Sequence, residues 1–116
     1  LPSRALGRAL YLIWRGPWMA AGRETFIHSV MDACGFENVV EDSRYPEVSA
    51  DAILRLAPAR ILLSSEPFPF RDTHRAELQE LLPGASIEYV DGEIFSWYGS
   101  RMRHIAAYAR ELTPVL

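Results

Sequence analysis

The sequence predicts an α/β domain of three layers, with helices on both faces of a mainly parallel four-stranded sheet. Three observations carry that expectation. Short apolar runs alternate with amphipathic stretches along the chain, the pattern produced by repeated strand-helix units. The apolar runs at 10–14 and 60–64 are continuous rather than alternating, as strands covered on both faces require. With 116 residues, 49% hydrophobic and 23% charged, the chain is long enough to bury one core without a disulfide or structural metal.

The first strand is Leu10-Tyr11-Leu12-Ile13-Trp14. After a loop, Phe26, Ile27, Val30, Met31 and Cys34 recur at helical spacing and define one buried face, and Gly35 supplies the residue that ends such a helix. A short strand is expected at 38–40. Ser49 then caps a helix carrying Ile53, Leu54 and Leu56, which Pro58 terminates. Arg60-Ile61-Leu62-Leu63-Ser64 reads as the central strand. Asp72 is placed to cap the next helix, with Leu78, Leu81 and Leu82 buried, before Pro83-Gly84 turns the chain into Ser86-Ile87-Glu88-Tyr89-Val90. A last helix over about 100–112 buries Met102, Ile105, Ala106, Ala109 and Leu112. No fixed-period repeat or linker-like stretch divides the chain, so one domain over 1–116 is expected.

Composition narrows the function. A net charge of −3 with no clustered basic patch argues against a nucleic-acid surface. A single cysteine, Cys34, cannot form an internal disulfide. The apolar run at 10–14 is too short to span a bilayer, and no leader pattern opens the chain, so a signal peptide is expected to lie outside it.

In an open parallel sheet the loops leaving the carboxyl ends of the strands share one edge, where ligands bind. Those loops hold Trp18, Tyr45, Phe68, Phe70, Phe95, Trp97 and Tyr98, seven of the thirteen aromatics. Surface loops favour small polar residues, so this bias points to a stacking surface for a large flat ligand. Pro17, Pro46, Pro67 and Pro69 stiffen the loops and reduce the entropy lost on clamping. The alternative is that these rings pack beneath the loops as satellite core. Phe70 and Phe95 adjoin element ends and suit that role, whereas Trp18, Tyr45 and Trp97 are assigned to the ligand.

Enzymatic patterns are missing from the sequence. His28, His74 and His104 lack ligand spacing, so no protein-borne metal is expected. Ser64-Ser65-Glu66 has no glycine-flanked nucleophile elbow, and Arg15-Gly16-Pro17-Trp18 after the first strand is neither a dinucleotide fingerprint nor a phosphate loop. Arg15, Arg44 and Arg71 are candidates for ligand carboxylates or phosphates, or else surface partners of nearby acids. Glu66 leaves the central strand at the binding edge. Glu47 and Asp51 flank a helix start, where a carboxylate favours the helix dipole.

Several segments, taken in order, resemble one family. They are Tyr11-Leu12-Ile13-Trp14-Arg15-Gly16-Pro17-Trp18-Met19, Thr25-Phe26-Ile27-His28, Cys34-Gly35-Phe36-Glu37-Asn38-Val39 and Arg44-Tyr45-Pro46-Glu47-Val48-Ser49. Ser64-Ser65-Glu66-Pro67-Phe68-Pro69-Phe70 and Asp91-Gly92-Glu93-Ile94-Phe95-Ser96-Trp97-Tyr98-Gly99-Ser100-Arg101 complete the series. The series resembles the helical-backbone substrate-binding proteins (class III) of cobalamin and iron-chelate ABC importers, in which two lobes joined by a rigid helix clamp the ligand. It matches the second, carboxyl-terminal lobe, of chelatase-like Rossmann type.

The resemblance implies capture of a metal chelate (cobalamin, a ferric siderophore or haem), with no covalent cofactor and no catalysis. Delivery to a permease of the inner membrane follows, on the periplasmic or extracytoplasmic side. It puts Tyr45 where cobalamin-binding members carry a pocket aromatic before Pro-x-Val-Ser, and it places Trp18, Phe95 and Trp97 near the ligand; Tyr98, Phe68, Arg44 and Glu66 are further ligand candidates from their place in the strand-exit loops. Asp51, with Glu47 competing, falls at the carboxylate that docks on permease arginines. Two other readings stay open: a chelatase-like or other doubly wound enzyme relying on Glu66, and an interaction domain using the aromatic edge.

Overall fold

The computed structural model describes residues 6–93. A five-stranded sheet is built around β1 (Gly7–Trp14), which is hydrogen-bonded along both edges. On one edge β1 pairs in parallel with β4 (Arg60–Ser64), and β4 with β5 (Ser86–Val90). The other edge is shared. Its first part pairs in parallel with β3 (Phe36–Asn38), and its last part pairs antiparallel with β2 (Met19–Ala20).

Alternation along β1 and β4 splits the core into two clusters. Ala9, Tyr11 and Leu62 face one side and pack on Ile27, Val30, Met31 and Cys34 of α1 (Phe26–Cys34). Leu10, Leu12, Ile61 and Leu63 face the other and pack on Ile53 of α2 (Ala50–Leu56) and Leu78 of α3 (Asp72–Leu81). Helices thus lie on both faces, giving the three layers expected, and β1 and β4 are buried on both sides because their sequences are apolar at both parities.

Local chemistry explains the boundaries. Thr25 caps α1 by accepting the His28 N–H, and Gly35 (φ 99°) closes it in the left-handed conformation. Ser49 caps α2 through the Ala52 N–H.

Several expectations need correction. Among the described residues the sheet has five strands rather than four: a two-residue strand such as β2 shows no periodicity, and it forms because the chain doubles back across Leu12 and Trp14. β1 starts three residues before its apolar run, since Gly7, Arg8 and Ala9 pair through their backbones with β3. The second predicted strand lies two residues earlier, at Phe36–Asn38; Val39 and Val40 instead enter the core from the loop. Arg71, not Asp72, occupies the cap of α3, where its N–H donates to Nδ1 of His74 at 2.9 Å. Phe26 is exposed rather than buried, while Leu81 and Leu82 are only half-buried. The predicted last helix at 100–112 lies outside the described residues, as do Phe95, Trp97 and Tyr98.

Candidate functional site

From β1 the chain crosses one face through α1 to β3 on one side. It then crosses the other face through α2 to β4 on the opposite side. The carboxyl ends of β1 and β4 are therefore where strand order reverses, and their outgoing loops diverge to leave a crevice. A cleft of about 450 Å³ lies there, lined by Ile13, Ile27, Tyr45, Ser64, Glu66, Pro67 and Gly92. Its size falls within the range of small-molecule sites.

Tyr45 is presented by a stiff backbone. Gly22 N–H donates to the Arg44 carbonyl at 2.7 Å, Arg23 N–H to Asp42 at 2.8 Å and Arg44 N–H to Arg23 at 2.8 Å. Ala20 N–H reaches Pro46 at 3.0 Å. Only glycine fits at position 22, because a Cβ would stand 2.1 Å from the Asp42 carbonyl oxygen. Arg44 takes a left-handed backbone (φ 69°), which turns the chain so that Tyr45 emerges 42% exposed.

The cleft floor is polar and internally satisfied. Tyr11 donates to Oγ of Ser64 at 3.3 Å, and Ser64 donates to the Glu66 carbonyl at 2.6 Å. Burial pushes the Tyr11 phenol well above its ordinary range, and the Asp91 and Glu66 carboxylates add to this against the opposing Ser64 hydrogen bond. Gly92 N–H donates to Oγ of Ser65 at 2.9 Å. The wall above is apolar, formed by Ile13 and Ile27.

A cluster of rings supports one side. Phe68 meets Trp14 edge-on at 5.2 Å, Phe70 at 4.9 Å and His74 at 5.1 Å between centroids. Trp18 lies parallel to Phe70 at 6.4 Å with the Arg15 guanidinium 4.5 Å from its ring centroid.

The chain matches no protein-family model. It superposes on solved structures. One is a possible iron-binding periplasmic solute-binding protein from Staphylococcus epidermidis, with TM-score 0.67, 16% identity, and coverage of 90% of this chain and 44% of that one. Another is a periplasmic heme-binding protein from Pseudomonas aeruginosa, with TM-score 0.62, 20% identity, and coverage of 87% and 42%. A periplasmic vitamin B12-binding protein of Vibrio cholerae gives TM-score 0.55, 19% identity, and coverage of 89% and 44%. The chain has the fold of one lobe of a periplasmic solute-binding protein. It spans under half the length of these proteins.

Within this lobe the residues singled out from sequence part company. Tyr45 and Glu66 line the cleft, and Arg44 lines an adjoining pocket that shares Tyr45. Trp18, expected at the ligand, is instead core: it is 5% exposed and packs with Leu12, Val48 and Leu63, because pairing of β2 with β1 folds the loop inward. Phe68 is half-buried in the ring cluster and supports the loop behind the cleft without lining it. Arg15 is paired with Glu77 at 2.8 Å, the surface-partner alternative. Glu47 and Asp51 are both exposed, with Glu47 on a groove beside Val48, Ala52 and Arg55 and Asp51 in the first turn of α2. Sequence reasoning did not find Ile13, Ile27, Phe26 or His28 as cleft or pocket residues, since it assigned Phe26 and Ile27 to the packed face of α1.

The orientation of His28 follows from its neighbours. The Asn38 side chain donates to the Ala21 carbonyl at 3.1 Å and accepts Val40 N–H, which fixes its amide. Its NH₂ group also lies 3.1 Å from Nδ1 of His28. Nη1 of Arg23 lies 3.4 Å from Nε2 of the same ring. Among the described residues no three His, Cys, Asp or Glu side chains converge as a metal site, and no helix is long and apolar enough to cross a membrane.

Proposed function

We propose that this chain is the carboxyl-terminal lobe of an extracytoplasmic substrate-binding protein that captures a metal chelate and delivers it to an ABC permease. The observation that carries this reading is Tyr45, an exposed ring on a rigid ladder over an apolar-walled cleft at the switch point of the sheet. Such a site stacks a flat ligand from one side and leaves the other side for a second lobe. The resemblance in sequence supports it independently, as do solved neighbours described as binding heme and vitamin B12. Cobalamin, haem and ferric siderophores are the cargo candidates, held without covalent bonding.

Catalysis is not part of the proposal. Among the described residues Glu66 is the one acidic side chain lining the cleft, and the Ser64 hydroxyl is committed to the Glu66 carbonyl rather than offered as a nucleophile. For docking, Asp51 is the proposed contact with permease arginines and Glu47 the second candidate, both on the exposed surface flanking α2.

The test is a tryptophan-fluorescence titration of the intact protein with cyanocobalamin, haem and ferric hydroxamates, corrected for inner-filter absorption. Saturable binding of one chelate is expected, weakened roughly 3- to 10-fold by Tyr45→Ala, the worth of one aromatic stack. Absence of saturable binding, or an affinity indifferent to Tyr45→Ala, counts against the reading.

A further inference from the structure

The loop from β4 to α3, residues 65–71, is fastened at both ends, and the two fastenings differ in chemistry. At the β4 end Ser65 N–H donates to the Val90 carbonyl at 2.9 Å, and its hydroxyl accepts the Gly92 N–H at 2.9 Å. Neither bond involves a group that titrates. At the α3 end Arg71 N–H donates to Nδ1 of His74 at 2.9 Å, and His74 N–H donates back to the Arg71 carbonyl at 3.0 Å. The imidazole thus stands at the third helical position, where a capping box ordinarily carries Glu or Gln. A glutamine oxygen accepts at every pH, whereas an imidazole nitrogen accepts only while it carries no proton.

The same ring is the loop's packing partner. It meets Phe68 at 5.1 Å and Phe70 at 5.8 Å between centroids, nearly perpendicular to both. Glu66 and Pro67, just before these rings, line the cleft. One hydrogen bond and two ring contacts on His74 therefore join α3 to a wall of the cleft.

A proton on Nδ1 points one donor at another and leaves the Arg71 N–H without its acceptor. It also places a cation in the first turn of α3, where the helix dipole opposes it. Contact with the phenyl rings supplies no new acceptor. Charged groups on the surrounding elements are engaged elsewhere: Glu77 with Arg15 at 2.8 Å, Asp72 with the Tyr89 hydroxyl at 2.9 Å, and Arg75 over the Tyr89 ring. Arg71 and Glu66 are the charged residues of the loop itself. Among the described residues no carboxylate lies within ion-pair distance of the His74 ring to hold it protonated. Because the fastened loop admits only the ring with Nδ1 bare, unfastening takes up a proton and is favoured as pH falls. Histidine is the side chain that changes charge between about pH 5 and 8.

We propose that His74 is an acid-sensitive latch. With Nδ1 bare it ties the loop to α3 and holds the Glu66–Pro67 wall in place; protonated, it frees the loop, and the cleft holds its cargo less tightly. The latch itself needs no cargo, and its effect on cargo rests on the chelate-binding reading above.

The test measures amide hydrogen exchange by NMR in the intact protein at about pH 7.5 and 5.5, with each rate corrected for the intrinsic pH dependence of exchange. The parent is compared with His74→Gln, which keeps an acceptor at every pH, and His74→Ala, which has none. Affinities for cyanocobalamin and an uncharged ferric trihydroxamate are measured at the same two pH values. In the parent, protection of the Phe70 and Arg71 amides should fall about 3- to 10-fold at the lower pH, the worth of one helix cap. It should hold in His74→Gln and be low at both pH values in His74→Ala. A chelate that binds at the higher pH should bind more weakly at the lower one, by about the same factor, in the parent but not in His74→Gln. Equal protection at both pH values, or a fall that persists in His74→Gln, overturns the latch. An affinity indifferent to pH while protection falls overturns its link to the cleft. If neither chelate binds, the chelate-binding reading loses support on its own, and the exchange comparison still decides the latch.

Discussion

At position 45 a tyrosine ring is held open to solvent by a hydrogen-bonded loop backbone, whereas the Trp18 ring, just before β2, is buried in the core. Substitutions separate these roles. Trp18→Ala removes a ring packed on Phe70 and covered by Arg15, so it should lower unfolding free energy by about 3–5 kcal/mol. Urea denaturation measures that loss, and Tyr45→Ala should leave the midpoint almost unchanged because an exposed ring contributes little to packing. Gly92 is the second sensitive position. A Cβ there would stand 2.2 Å from Oγ of Ser64 and 3.1 Å from the Glu66 carbonyl, so Gly92→Ala should cost about 1–3 kcal/mol and distort the cleft floor. A variant as stable as the parent would show that the floor yields more easily than its hydrogen bonds suggest. Sequence alone marked Tyr45 and Trp18 as equals, since both are aromatics beside a proline in strand-exit loops. Only the antiparallel return of the chain onto β1 distinguishes them, and that is a contact between segments rather than a local pattern.

At the level of elements, α1 is secured from beneath by Cys34, which is 1% exposed and whose thiol burial pushes up to about 11. Alkylation at pH 8 should therefore run at least about a hundredfold slower in the folded protein than in denaturant. The folded state holds this proton, and that of Tyr11, to higher pH than the unfolded chain does. With fewer protons bound by the unfolded state, stability is full below about pH 9 and falls as pH rises toward 11. Denaturation midpoints between pH 7 and 10.5 should show the decline, and Cys34→Ala should make it shallower. The helices were legible in outline because their signals are local: Thr25 or Ser49 ahead of a 3.6-residue apolar pattern, and Gly35 behind one. The cap of α3 was not, because Arg71 takes that place through the His74 ring, a pairing no cap preference encodes. β2 and the first three residues of β1 were hidden for a related reason, as they are strands by virtue of partners.

For the whole molecule, the reversal of strand order at β1 and β4 decides where a ligand sits, and the apolar runs at 10–14 and 60–64 made that arrangement legible. The walls of the cleft were less so. Ile13 and Ile27 are ordinary apolar residues of a strand and a helix, and only their convergence beside Tyr45 makes them a surface. A lobe that covers one side of its ligand gives up the contacts of the other, so the lobe alone should bind the cargo about a hundredfold more weakly than the intact protein, on the order of 3 kcal/mol. Isothermal titration of both forms checks this, and equal affinities would contradict a clamp. The central claim is that the cargo occupies the crevice between the ends of β1 and β4. Hydrogen exchange of the intact protein, with and without saturating chelate, tests it most directly. Bound ligand should slow exchange in the segments carrying Ile13, Tyr45 and Ser64-Ser65-Glu66, leaving α2 and α3 unchanged; protection confined to those helices, or to none of these segments, would contradict the account.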